Sequence, residues 1–183
     1  MLQQLQRCHA VATFFMVGER VLVQPDLARQ VLAAGHDIQL HCHRHIRHTE
    51  LTETEIRDDS ESALAALEKV GAHPRLWRPP WGVHTDATHR VAGHLGLQLV
   101  HWSIDTHDWR GDQPQTMLDH ARHQLTDGGA VLMHDALGPG ARRAGCQNTL
   151  TLLPALTATA RRADGLLLAP MDYRCAPAGE VAA

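Results

Sequence analysis

Residues 36–55 read HDIQLHCHRHIRHTELTETE. HDIQL (36–40) has the character of a short β-strand, and the polar run HCHRH follows it directly. TETE (52–55) is a capping box: Thr52 can accept from the third helical amide while Glu55 reaches back to the cap, so a helix starts there. Ile56, Ala63, Leu64, Leu67 and Val70 then keep helical spacing until Gly71 stops it. A strand that ends in a polar cluster and passes into a helix is one unit of an α/β fold.

The same unit recurs on both sides. Upstream, VATFFMV (11–17) reads as a strand, and PDLARQVLAAG as a helix with Pro25 in its first turn and Gly35 at its end. Before that strand a helix starts at Met1. Downstream, RLW (75–77) is a strand, residues 86–95 a helix, LQLVHWSI (97–104) a strand, and Pro114 opens a helix running to about Leu125. GGAVLMH gives another strand, residues 149–163 a helix that Pro154 kinks, and LLLAP a last strand, with a loose tail from Asp172. Strands alternating with helices predict parallel strands wrapped by helices, as an open sheet or a barrel. In both layouts functional side chains gather at the C-terminal ends of the strands.

The 183 residues, 44% hydrophobic, fit a single domain spanning residues 1–171. A formal net charge of −3 provides no basic field for nucleic acid. No apolar run reaches the length of a membrane span, and MLQQLQRCHA lacks the charged-then-apolar layout of a signal peptide. The four cysteines, Cys8, Cys42, Cys146 and Cys175, form no CxxC pair and read as free thiols.

Polar motifs stand where the strand-end rule places them. His41 and His45 are four residues apart, so a helical turn after the strand puts both rings on one side, able to grip one metal ion, with His43 pointing away. Cys42 stands where HExxH proteases carry glutamate, so a general base must come from elsewhere. RPPWG (78–82) is a rigid turn in which Arg78 could orient a carboxylate and Trp81 could wall a pocket. DTHDW (105–109) offers Asp105 and Asp108 with Trp109, either as functional groups or as a capped solvated loop. LMHD ends in His134.

In this order the blocks ATFFMVGE, AGHDIQLHCHRH, RPPWG, DTHDW and VLMHD resemble the polysaccharide deacetylase family, the NodB homology or carbohydrate esterase 4 domain, over roughly residues 5–170. The resemblance implies a distorted (β/α) barrel, a divalent metal, usually zinc, and hydrolysis of N-acetyl groups on amino sugars; two imidazoles suit cobalt or iron as well as zinc. By the same resemblance His41 and His45 match the metal-binding histidines. Arg78 matches the arginine that holds the catalytic base, and Trp81 the residue whose N–H stabilises the oxyanion. Asp105 matches the partner of the catalytic histidine, Trp109 and Leu132 line the acetyl pocket, and His134 is the general acid. The implied partner is an N-acetylated carbohydrate.

One family block is absent. TFDDG, which ends the first strand and carries the base and the third metal ligand, should precede ATFF, yet residues 1–11 contain no aspartate. Asp37 shares a strand face with His41, but four residues of strand span about 13 Å; Asp108 and Asp135 are other carboxylates near the motifs. The expectation is therefore a barrel missing its first strand, an N-terminally truncated chain of impaired activity, and self-association through the exposed edge of VATFFMV. The alternative is an inactive carbohydrate- or partner-binding pseudoenzyme.

Overall fold

The structure, a computed structural model, describes residues 1–162 and 168–171. In chain order the first elements are α1 (Leu2–Arg7), β1 (Thr13–Val17), α2 (Gly18–Val23), α3 (Pro25–Ala33) and β2 (Asp37–Cys42). There follow α4 (Glu53–Glu68), β3 (Leu76–Trp77), α5 (Asp86–Leu95) and β4 (Gln98–Leu99). The last are β5 (Ile104–Asp105), α6 (Pro114–Ala121), β6 (Val131–Leu132) and α7 (Gln147–Arg162). These elements form two compact units. One holds Thr13–His101, the other Met1–Ala12 with the described residues from Trp102 onward. No helix among the described residues is long and apolar enough to cross a membrane.

The Thr13–His101 unit is built on a parallel sheet in the order β1-β2-β3-β4. β2 is an inner strand, and Ile38, Leu40 and Cys42 are all but inaccessible. Its buried polar member, Gln39, is satisfied across the sheet: Oε1 accepts the N–H groups of Arg75 (2.8 Å) and Leu76 (2.7 Å). That side chain extends a β2–β3 pairing whose backbone register is the single match Leu40↔Trp77. The capping box at α4 forms as expected, Thr52 N donating to Glu55 Oε2 (2.8 Å) and Glu55 N to Thr52 Oγ1 (3.3 Å). Ile56, Ala63 and Leu67 bury the inner face of this helix.

α2, which the sequence patterning misses, packs tightly on α4. A Cβ on Gly18 would lie 2.7 Å from His43 Nδ1 and 2.8 Å from the Ala63 backbone. Gly18→Ala is therefore expected to destabilise the fold by about 1–3 kcal/mol, the usual cost of overpacking. Urea unfolding of the two proteins measures it.

The other unit pairs β5 with β6 in parallel, Ile104↔Val131 and Asp105↔Leu132. Ile104, Met117, Ala121, Leu152 and Leu156 form its core. α1 is tied to α7 by Arg161, whose Nη2 donates to the carbonyls of Cys8 (2.5 Å) and His9 (2.8 Å).

The structure revises several boundaries. LQLVHWSI is two strands in two sheets, because the backbone changes partner within it: Val100 N bonds to Trp77 O (2.9 Å), whereas Ser103 N and Ile104 N bond to Ala130 O (3.0 and 3.1 Å). α6 ends at Ala121 rather than near Leu125, and the strand expected in GGAVLMH narrows to Val131–Leu132. Of LLLAP, Leu166 and Leu167 lie outside the described residues and residues 168–170 have no regular structure. The expected loose tail, residues 172–183, also lies outside them.

Candidate functional site

In the Thr13–His101 unit, His41 and His45 come together by a different route from the expected helical turn. His41 is still in β2, which runs to Cys42, and a bend at residues 43–44 returns the chain. The two rings end 5.0 Å apart, edge to face. The bend is held from α4: Asp59 accepts the backbone N–H of His43 (2.7 Å) and of Arg44 (3.0 Å).

His41 is oriented by the next strand's end. Its Nδ1 meets the Arg78 carbonyl at 2.5 Å, and its own carbonyl accepts from Trp77 Nε1 at 2.9 Å. A carbonyl can only accept, so Nδ1 carries the proton and Nε2 keeps the lone pair, the tautomer a metal ligand needs. His45 packs against Trp81, centroids 4.2 Å apart, and the Arg47 guanidinium covers the same indole at 4.4 Å. Trp81 has φ 55°, in the left-handed region that a bulky residue seldom adopts. Such strain clusters at functional positions. The Arg78 guanidinium lies 4.0 Å over the Phe15 ring, and burial pushes its pKa down to about 10.

The donor set fits a divalent cation as two imidazoles and no further. Burial, with Asp59 and Glu19, pushes the Cys42 thiol up, and its side chain is buried in β2. Among the described residues no group of three His, Cys, Asp or Glu could hold a metal.

His48, three residues beyond His45, is a core residue. It is 3% exposed, bonds Thr88 Oγ1 through Nδ1 at 2.9 Å, and packs on Trp77. Burial pushes it down to about 4, and burial beside His89 and His101 does the same to His84. Both are neutral in the folded protein near pH 6, whereas the unfolded chain takes up protons near pH 6.5. A depressed histidine therefore contributes stability that is fully present above about pH 6.5 and is lost as pH falls toward about 4. The expected outcome is a melting temperature that drops through this window, with a shallower drop in His48→Gln, read by thermal unfolding at successive pH values.

In the other unit, β5 and β6 set Asp105 opposite Leu132, and His134 follows just after. Asp105 accepts from the backbone N–H of His107 (2.7 Å) and lies 3.2 Å from that ring. The carboxylate on His134 is instead Asp108: Oδ1 meets His134 Nδ1 at 2.8 Å and Oδ2 accepts His134 N–H at 2.8 Å. The expected pairing of Asp105 with His134 is thus replaced. The cause is local, since His107 takes φ 57° and starts the 108–110 turn that aims Asp108 inward while Asp105 closes on its own chain.

Asp108 has no exposed side-chain surface and also accepts from Arg143 Nη1 (2.9 Å) and Thr149 Oγ1 (2.8 Å). Burial raises its pKa, but the hydrogen bonds from His134 and Thr149 outweigh it, and the net direction is down. Arg143 further donates to the carbonyls of His134 (2.9 Å) and Ala136 (3.1 Å). Nothing in GARRAG separates it from exposed Arg142, so sequence patterning could not find it. With Nδ1–H on Asp108, Nε2 of the 42%-exposed His134 side chain is the nitrogen left to exchange a proton.

Trp109 is half-buried, and the guanidinium groups of Arg110 and Arg142 each lie 5.9 Å from its ring. Leu132 is buried, and its carbonyl accepts from Thr106 Oγ1 at 2.8 Å.

Comparison with known proteins gives a consistent result. The sequence profile of the polysaccharide deacetylase family matches residues 1–100. A peptidoglycan-N-acetylglucosamine deacetylase of Bacillus cereus is 35% identical over 136 residues, 73% of this chain and 64% of that protein. A chitooligosaccharide deacetylase of a Bradyrhizobium species is 32% identical over 134 residues, 72% of this chain and 61% of that one. The chain thus matches somewhat under two thirds of the length of these relatives. A family 4 carbohydrate esterase from Streptomyces lividans, solved with acetate, superposes with a TM-score of 0.80 at 28% identity, over 90% of this chain and 81% of that one.

Proposed function

The chain belongs to the polysaccharide deacetylase family, and from that premise we propose that it is a metal-dependent hydrolase that removes N-acetyl groups from amino sugars of a glycan and releases acetate. The observation that carries the proposal is the bond between His41 Nδ1 and the Arg78 carbonyl. It joins two of the family's sequence blocks and puts the ring proton on Nδ1, the tautomer in which Nε2 would meet a metal.

His41 and His45 would hold the ion, and two imidazoles suit zinc, with cobalt or iron as alternatives. When bound, a divalent cation polarises a carbonyl and makes water nucleophilic near neutral pH. The remaining chemistry belongs to the chain. The Trp81 N–H, presented by a strained turn, supplies a donor to the developing oxyanion. His134 protonates the departing amine from Nε2, while Asp108 fixes its tautomer and stabilises the imidazolium. Trp109 and Leu132 line the acetyl group. Arg78 would orient a carboxylate base, the residue that the family carries in the TFDDG block absent from this sequence.

The substrate class follows from chemistry shared by the two relatives, whose names specify peptidoglycan N-acetylglucosamine and chitooligosaccharide. We propose an N-acetylglucosamine-containing glycan. The test offers peptidoglycan and N-acetylglucosamine oligomers separately and measures newly formed amines; their absence from both would reject the proposal. The lack of a third ligand among the described residues favours one other reading, a glycan-binding domain without turnover. That reading expects saturable glycan binding with no acetate released.

A further inference from the structure

The histidine pair depends on a bend that neither histidine makes. His43 and Arg44, which lie between His41 and His45, direct their backbone N–H groups at one side chain, Asp59 of α4. Each carboxylate oxygen takes one amide, Oδ2 that of His43 at 2.7 Å and Oδ1 that of Arg44 at 3.0 Å. The Arg44 Nε adds a longer contact at 3.3 Å from a side chain that is 58% exposed. Asp59 itself is 5% exposed. A buried carboxylate needs such partners, and two amide donors on separate oxygens fix both the position and the direction of the bend.

The anchor is rigid in turn. Asp59 lies early in α4, whose start is held by the Thr52–Glu55 capping box and whose inner face, Ile56, Ala63 and Leu67, is buried. Gly18, packed on α4 at Ala63, also stands so close to the bend that an added Cβ would come within 2.7 Å of His43 Nδ1. The bend has little room to relax.

We propose that Asp59 is the positioning residue of the His41–His45 pair. It acts through the backbone of residues 43–44, touches no ligand, and sets the spacing of the two imidazoles and hence their affinity for a divalent cation. The inference rests on the metal-binding reading of that pair.

Asparagine separates this role from general packing. Its side chain keeps the volume but offers one acceptor and one NH2, so one of the two amides faces a donor. The experiment titrates zinc into the metal-free full chain against a chromophoric chelator and records the melting temperature of each variant. Asp59→Asn is expected to weaken zinc binding about 10–100-fold, the usual effect of losing an outer-shell partner. Asp59→Glu keeps both acceptors one methylene further out; it is expected to fold and to bind zinc with intermediate affinity, which secures the test if the asparagine variant fails to fold. Ser60→Ala removes a buried bond on the same helix, Ser60 Oγ to the Ile56 carbonyl at 2.7 Å, and is expected to lower the melting temperature without moving zinc affinity.

Wild-type affinity in Asp59→Asn, or in Asp59→Glu alone if only that variant folds, overturns the proposal. So does an equal loss of affinity in Ser60→Ala. A wild-type chain that binds no zinc overturns the metal reading and this inference with it, whereas unchanged binding in the Asp59 variants removes the inference and leaves that reading intact.

Discussion

His41→Ala is expected to weaken zinc binding by more than the roughly 10–100-fold that loss of an outer-shell partner costs, and to abolish acetate release. His41 provides one of two imidazoles, and its Nδ1 is already committed to the Arg78 carbonyl. The alanine variant removes the whole ring, and with it Nε2 and the bond to the Arg78 carbonyl. His45→Ala should behave alike. His43→Ala is expected to leave zinc affinity within a few-fold of wild type, since Asp59 holds the His43 backbone and its ring packs toward Gly18. Titration of the three variants gives the comparison; equal losses in all three would mean that the bend, and not the two imidazoles, carries the binding.

The second large effect is expected at His134 and Asp108. Removing a general acid from an amide hydrolysis costs roughly 10²–10⁴-fold in turnover, and His134→Gln should lose that much. Asp108→Asn should lose a comparable factor, because the amide no longer holds Nδ1–H against a negative charge. It also leaves buried Arg143 without its counter-ion, so unfolding experiments should show a loss of about 3–5 kcal/mol. Asp105→Asn is the contrasting variant. Its carboxylate serves the His107 amide, and turnover is expected to stay within a few-fold of wild type. Steady-state rates of the folded fractions decide between them: a collapse in Asp105→Asn with Asp108→Asn near wild type would restore the family-based assignment.

Much of this architecture is legible in local pattern. Capping at Thr52, the proline at the start of α3 and the polar blocks after β2, β3, β5 and β6 all rest on short-range chemistry, and they appear where the sequence places them. What escaped was non-local. The spacing of His41 and His45 suggested a helical turn, yet the rings meet because a carboxylate on α4 grips the chain between them. DTHDW contains two aspartates that no pattern separates; a left-handed His107 and a distant Arg143 choose Asp108. The apolar run 97–104 looks continuous, and only the change of hydrogen-bond partner from Trp77 to Ala130 splits it. In each case the residues were visible and their partners were not.

The most direct test of the central claim is acetate release from N-acetylglucosamine oligomers, followed before chelation, after chelation and after zinc is restored. Metal-dependent deacetylation predicts release that stops with the chelator, returns with zinc and never returns in His41→Ala. Glycan binding by the zinc-loaded chain with no acetate formed, or release indifferent to the chelator, would contradict it.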